Sequence, residues 1–305
     1  MSFTVALLAL QAAVAPPDSV VRVVSAVMRQ YADTSAARAA GFVPLAIGRF
    51  QDGTPFQGIH WIHPRRFRTG AAGLSEPTFL LYAPVNGALR LVGAAYSERI
   101  GQDDARPSGI AAAPAEWHLH QACFGIPGIG FTLADGVDDC HDLGGTPSPR
   151  QTAMVHVWAG QASPEGDFSH DNVALPFVAV GLAPPSAAEL SDMGQAMDIR
   201  ALAVALADSY GFRLPFVKRL DFLATASPTQ DSIAVERKAI TALVPELKAA
   251  EARGDRAGYA AAAAKVRVIG DTLHALYDRA APTPEVRRRL DTQYAQALGM
   301  EHHHH

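Results

Sequence analysis

The dipeptide Asn86-Gly87 lies between two apolar, strand-like runs, Phe79-Leu80-Leu81-Tyr82 and Leu89-Arg90-Leu91-Val92-Gly93-Ala94-Ala95-Tyr96. Asn-Gly is the commonest two-residue hairpin turn, because both central residues must adopt positive φ. The two runs are therefore antiparallel neighbours. Around them, from Phe42 to Leu182, short apolar runs alternate with turn residues. Further strands are expected near Gln57 to Ile62, Ala115 to Ala122, Thr152 to Gly160 and Val173 to Gly181. No strand alternates with a helix of 10–15 residues, as a parallel sheet would require.

Residue usage changes on either side of this region. Val20, Val23, Val24, Val27, Met28 and Tyr31 recur at three- and four-residue spacing, which predicts a helix capped by Asp18 or Ser19. Asp33-Thr34-Ser35 offers a cap for a second, short helix over Ser35 to Ala40. Beyond Pro184-Pro185 the chain turns to Ala, Leu, Arg and Glu, which predicts helices over Ser186–Ser209, Gln230–Arg253, Asp255–Arg279 and Thr283–Leu298. Pro245 is expected to kink or divide the second of these. Their Ala-rich and charged faces suit helix pairing or a homodimer.

The expected fold is thus α+β: an antiparallel β-sheet domain over 18–183 with a flanking N-terminal helix, followed by an α-helical C-terminal region over 184–299. Residues 300–305 read as a tag. With 49% hydrophobic and 18% charged residues the composition is that of a globular chain with a core, not a disordered one. A net charge of -4 without long like-charge blocks argues against nucleic acid as a partner. Beyond the N-terminus no apolar run has the length of an integral membrane segment. Residues 1–17 contain an Ala/Leu-rich stretch ending in Ala13-Val14-Ala15, which reads as an export signal although no Lys or Arg precedes it. In a periplasmic or secreted chain, Cys123 and Cys140 form a disulfide worth about 3 kcal/mol. It would close the Gly/Pro-rich stretch Phe124 to Arg150, which is expected to hold no regular element.

The densest group of metal-capable side chains is Glu116-Trp117-His118-Leu119-His120. On a strand, residues two apart share a face, so His118 and His120 can grip one ion. His60 and His156, each in a predicted strand, are placed to add further imidazoles. His63 falls on the opposite strand face from His60 and ranks lower. Glu116 can act as a ligand, as a carboxylate that fixes an imidazole, or as a general base. Imidazole ligation suits a divalent transition metal such as zinc, copper or iron. An H-x-H pair alone is a weak signal, and any one of these histidines alone is more simply a packed core residue. The constellation raises metal binding above that reading. Asp167 and His170, in the turn-rich stretch Ser163 to His170, can also reach the site.

Several segments together resemble a family of uncharacterised exported bacterial proteins. They are Tyr31-Ala32-Asp33 to Pro44, Gly58-Ile59-His60 with Pro64, Leu80-Leu81-Tyr82 with Leu89-Arg90-Leu91-Val92-Gly93, and Val155-His156-Val157-Trp158 with Pro164, Gly166 and Phe168. The resemblance covers residues 28 to 170 and implies export, with His60 and His156 as residues of interest. It brings no activity. Two functions follow as expectations: a mononuclear metal site serving a metal-dependent enzyme or carrier, or a non-catalytic module binding a small molecule or a protein, with structural histidines.

Overall fold

The computed structural model describes residues 17–300 apart from 48–49, 71–72, 108, 112, 129, 135 and 224–227. The proposed export segment therefore falls outside the described residues, as does the tag from 301 onward.

Helix α1 (Pro17–Met28) buries Val20, Val24, Val27 and Met28 but leaves Val23, expected with them, exposed, and α2 (Thr34–Ala39) starts at the Asp33 cap, which accepts from the Ser35 amide at 2.7 Å. Strand β1 (Val43–Pro44) and the ribbon β2 (Ala46–Ile47) with β3 (Phe50–Gln51) lead into β4 (Ile59–Ile62). Helix α3 (Pro64–Thr69) separates β4 from the hairpin β5 (Phe79–Val85) and β6 (Ala88–Ile100). Asn86 and Gly87 turn that hairpin with φ of 50° and 76°, and Val85 pairs with Ala88.

A small ribbon, β7 (Gly109–Ile110) with β8 (Ala113–Pro114), precedes β9 (His118–Ile126), β10 (Gly130–Ala134), α4 (Val137–Asp142) and β11 (Thr146–Val157). The stretch 124–150 is thus more regular than its glycines and prolines suggest. Pro127 lies in the turn between β9 and β10, and Pro147 and Pro149 are accommodated by a break in the β9–β11 register between Pro147 and Gln151. The disulfide Cys123–Cys140 forms, tying β9 to α4.

Seven strands form one antiparallel sheet in the order β1-β4-β5-β6-β11-β9-β10. Its two faces are buried differently. Tyr96, Ala153, Val155 and Val157 point to the face covered by α1. Leu81, Phe79, Ala95 and Met154 point to the other face, together with the site histidines described below.

The run Val173 to Gly181, expected as a strand, is helix α5 (Ala174–Val180). Its apolar, β-branched composition is that of a buried strand. Asn172 Oδ1 nevertheless caps the Ala174 amide at 3.1 Å, Pro176 falls in the first turn where no donor is needed, and Gly181 ends the helix at φ 77°.

The helical region comprises α6 (Met193–Ser209), α7 (Pro215–Leu223), α8 (Pro228–Ala252), α9 (Arg256–Ala280) and α10 (Pro284–Ala297). Helix α6 starts seven residues later than expected, at the Asp192 cap, and α8 continues through Pro245 undivided. Ile233, Ile240 and Leu247, seven apart on α8, share a core with Val266 and Leu273 of α9 and Leu202 and Leu206 of α6. Gly270 of α9 lets α6 approach, since a Cβ there would stand 2.9 Å from that of Ala205. Among the described residues no helix is long and apolar enough to cross a membrane.

Candidate metal centre

Strands β4 and β11 are separated by β5 and β6. At about 4.8 Å per strand their axes would stand roughly 14 Å apart in a flat sheet. Yet His60 of β4 and His156 of β11 face each other with their Nε2 atoms 3.5 Å apart. The sheet curls, and the residues between them explain how it can. His60 pairs with Leu81, which pairs with Gly93, while His156 pairs with Ala95. Between His60 and His156, strand β6 thus presents only Gly93 and Ala95 on this face. A Cβ at Gly93 would lie 2.9 Å from the Val157 carbonyl oxygen.

The β9–β11 register sets His118 opposite Met154 and His120 opposite Thr152, so both histidines share the face of His156. Their ring centroids are 4.9 Å apart, and the His118 ring lies 4.7 Å from that of His156. The alternation read from the sequence therefore holds for His118, His120, His156 and His60. His63 lies elsewhere, capping α3 by accepting from the Arg66 amide and packing edge-on against Phe42.

His170 completes the group. Its loop folds back on the end of β11, where the Trp158 indole donates to Ser169 O at 2.8 Å and the Trp158 amide to Asp167 O at 2.9 Å. The His170 ring then lies 4.0 Å from that of His118, tilted by 39°. Candidate ligand atoms of His118, His120 and His170 all lie within 4.8 Å of one another. A tetrahedral ion with Zn–N bonds of about 2.0–2.1 Å needs its nitrogens about 3.3 Å apart, within reach of side-chain rotation. Glu116 sits exposed at the entry to β9, where its carboxylate accepts from the His170 amide at 3.4 Å.

The protonation states are set by the surroundings. Burial, reinforced by the neighbouring imidazoles, holds His118 well below the usual histidine pKa. Burial and then His60 and His170 do the same for His156, against the pull of its bond to the His170 carbonyl. Both rings are therefore neutral at pH 7 and offer lone pairs. Neither ring nitrogen of His118 has a hydrogen-bond partner, although both are sealed from solvent. His170 Nε2 accepts from the Gln57 side-chain amide at 2.8 Å, a contact that a metal at that atom would replace.

Behind His60 stands Asp52, which follows β3 and accepts from His60 Nδ1 at 2.6 Å and from the His60 amide at 3.2 Å. Lys218 of α7 reaches Asp52 at 3.6 Å, both side chains being buried. Burial raises the carboxyl pKa, but Lys218 and His60 outweigh it and hold Asp52 well below the usual carboxylate range. In front of the cluster a cavity of about 500 Å³ opens between sheet and helical region. His60, His120 and His170 line one side, and Arg200, Pro215 and Gln296 line the other.

Compared with protein-family models, with curated proteins and with solved structures, the chain matches none.

Sequence reasoning did not rank Asp52 and Lys218 at all. Neither lies in a recognisable motif, and only the fold brings α7 to the sheet. His170 carried a weaker signal, a turn-rich segment ending in histidine.

Proposed function

We propose that this is an exported metal-binding protein whose centre is built on His118, His120 and His170 and holds a divalent transition metal, zinc, copper or iron. The observation that carries the proposal is the His118 ring, with two buried nitrogens and no hydrogen-bond partner, inside a group of convergent imidazoles. Leaving a polar atom buried and unpaired costs about 1–3 kcal/mol, which a metal bond to one nitrogen would offset.

A three-imidazole site leaves at least one coordination position open. Here it adjoins the cavity, which favours a small-molecule ligand and suits activation of a bound water or oxygen chemistry. Glu116 would act as a positioning residue for the His170 loop, through the His170 amide. The disulfide supports an oxidising compartment, and hence export.

Metal analysis of protein freed of its histidine tag tests the reading. The wild type should carry stoichiometric metal after reloading and dialysis, and the combined variant His118→Ala with His120→Ala should lose it. No bound metal in the wild type would overturn it and favour a module with structural histidines.

A further inference from the structure

The His60–His156 pair lies outside the group formed by His118, His120 and His170, and its hydrogen bonds impose an unusual constraint. His156 Nδ1 is 2.6 Å from the His170 carbonyl, which can only accept, so Nδ1 carries the proton. His60 Nδ1 is 2.6 Å from Asp52 Oδ2, an oxygen that also accepts from the His60 amide, so it too is the protonated nitrogen. In both rings Nε2 is therefore the nitrogen left to present a lone pair. These two lone pairs face each other at 3.5 Å, with His156 fully buried and His60 only 6% exposed.

Two acceptors pointed at one another out of water repel unless something positive lies between them. A shared proton would draw the nitrogens toward the usual hydrogen-bond separation of about 2.9 Å. The observed 3.5 Å is close to the edge of about 3.3 Å between two nitrogens on a tetrahedral late first-row ion.

We infer that His60 and His156 form a second ion position beside the first, so that the centre takes two zinc or copper ions rather than one. His170 links the positions, since its ring belongs to the first group and its carbonyl fixes the tautomer of His156. Asp52 is the positioning residue for His60, and Lys218 holds Asp52 in place. All the protein ligands are neutral imidazoles, and the charge of Asp52 is balanced by Lys218. The remaining coordination is therefore completed from the cavity, which His60 lines, by an anionic oxygen ligand such as hydroxide or a carboxylate.

The inference rests on the metal reading above, and zinc stoichiometry separates the two. Tag-free protein is stripped with chelator, reloaded with Zn(II), dialysed and analysed for zinc per chain. Two zinc ions in the wild type and one in His60→Ala are expected. One zinc in the wild type overturns the second position, whether or not His60→Ala retains it. No zinc in the wild type overturns the metal reading itself. Should His60→Ala not fold, Cu(II)-loaded wild type gives the answer by electron paramagnetic resonance. Two neighbouring coppers should couple and yield a signal well below the total copper content. A signal equal to the copper content, from isolated ions, overturns the inference.

Discussion

Replacing Asp52 by Asn isolates one part of the scaffold behind the site. Asparagine is nearly isosteric, and its side-chain oxygen can still accept from His60. What disappears is the charge that balances Lys218, 3.6 Å away in a site where the two side chains are only 5% and 9% exposed. At an effective dielectric of about 20, a charge pair at that distance is worth about 5 kcal/mol. Breaking one partner of a buried pair typically costs about 3–5 kcal/mol. Lys218 can escape by losing its proton, and burial already pulls its pKa below the ordinary lysine value while Asp52 opposes this. At about 1.4 kcal/mol per pH unit, deprotonation at pH 7 costs roughly 5 kcal/mol, so the deficit has a similar ceiling by either route.

Urea unfolding in EDTA should therefore show Asp52→Asn destabilised by about 3–5 kcal/mol at pH 7. The deficit should shrink to about 2 kcal/mol near pH 9, because the unfolded chain then holds a lysine proton that the folded variant lacks. Asp52→Asn combined with Lys218→Met removes both charges and should recover most of the loss. A single variant within about 1 kcal/mol of wild type, or a double variant no more stable than the single, would refute the argument.

Other consequences are equally open to measurement. Because Asp52 is held below the usual carboxylate range, its contribution to apo stability is full above about pH 5 and lost as pH falls toward its folded value. Acid titration of the wild type should reveal this loss below pH 4, and Asp52→Asn should lack that component. Reducing the Cys123–Cys140 disulfide, which closes a 17-residue separation, should lower stability by about 3 kcal/mol. An unchanged denaturation midpoint in reductant would contradict that. Gly93→Val should destabilise by at least about 1–3 kcal/mol and weaken zinc retention, since even a Cβ would stand 2.9 Å from the Val157 oxygen. Normal zinc retention in a folded Gly93→Val would mean that the curl between His60 and His156 does not depend on a small residue there. Ile240→Ala, in the helical core, should cost about 2–5 kcal/mol while leaving zinc content unchanged, and metal analysis of that variant is a control for indirect effects.

The parts of the fold legible in the sequence are those whose signals are local. Asn86-Gly87 specifies its hairpin because no other turn suits both residues so well, and the strand period sets His118 and His120 on one face. Asp33 and Thr283 each accept a backbone hydrogen bond at a helix start, and such caps fall within a turn of their helix, whereas the expected start at Ser186 misses the Asp192 cap of α6. Val173 to Gly181 failed for a complementary reason. A short apolar run looks alike as a buried strand and as a buried helix, and here the decision falls to the Asn172 cap and the Gly181 stop. The stretch from Phe124 to Arg150 misled because glycine and proline counts do not record position. Pro147 and Pro149 lie where β11 loses register with β9, so they cost the sheet little.

The site divides along the same line. His118 and His120 were readable as a pair, but bringing His60 to His156 depends on curvature across two intervening strands. That curvature follows from which β6 residues face the site, and hence from a bulge between Leu81 and Tyr82 that shifts the β5–β6 pairing by one residue. Without the shift, the alternation of Leu91, Gly93 and Ala95 against Tyr82, Leu81 and Phe79 could not stay in phase along the whole hairpin. A bulge leaves almost no trace in sequence, yet here it keeps Gly93 and Ala95 on the face that must stay shallow. Deleting Val92, the extra residue that β6 carries between Leu91 and Gly93, would remove the bulge and the local twist it gives the hairpin. The flatter sheet would carry His60 away from His156, with zinc retention as the readout. Retained zinc at wild-type stoichiometry after such a deletion would mean that the ligands find each other without the bulge.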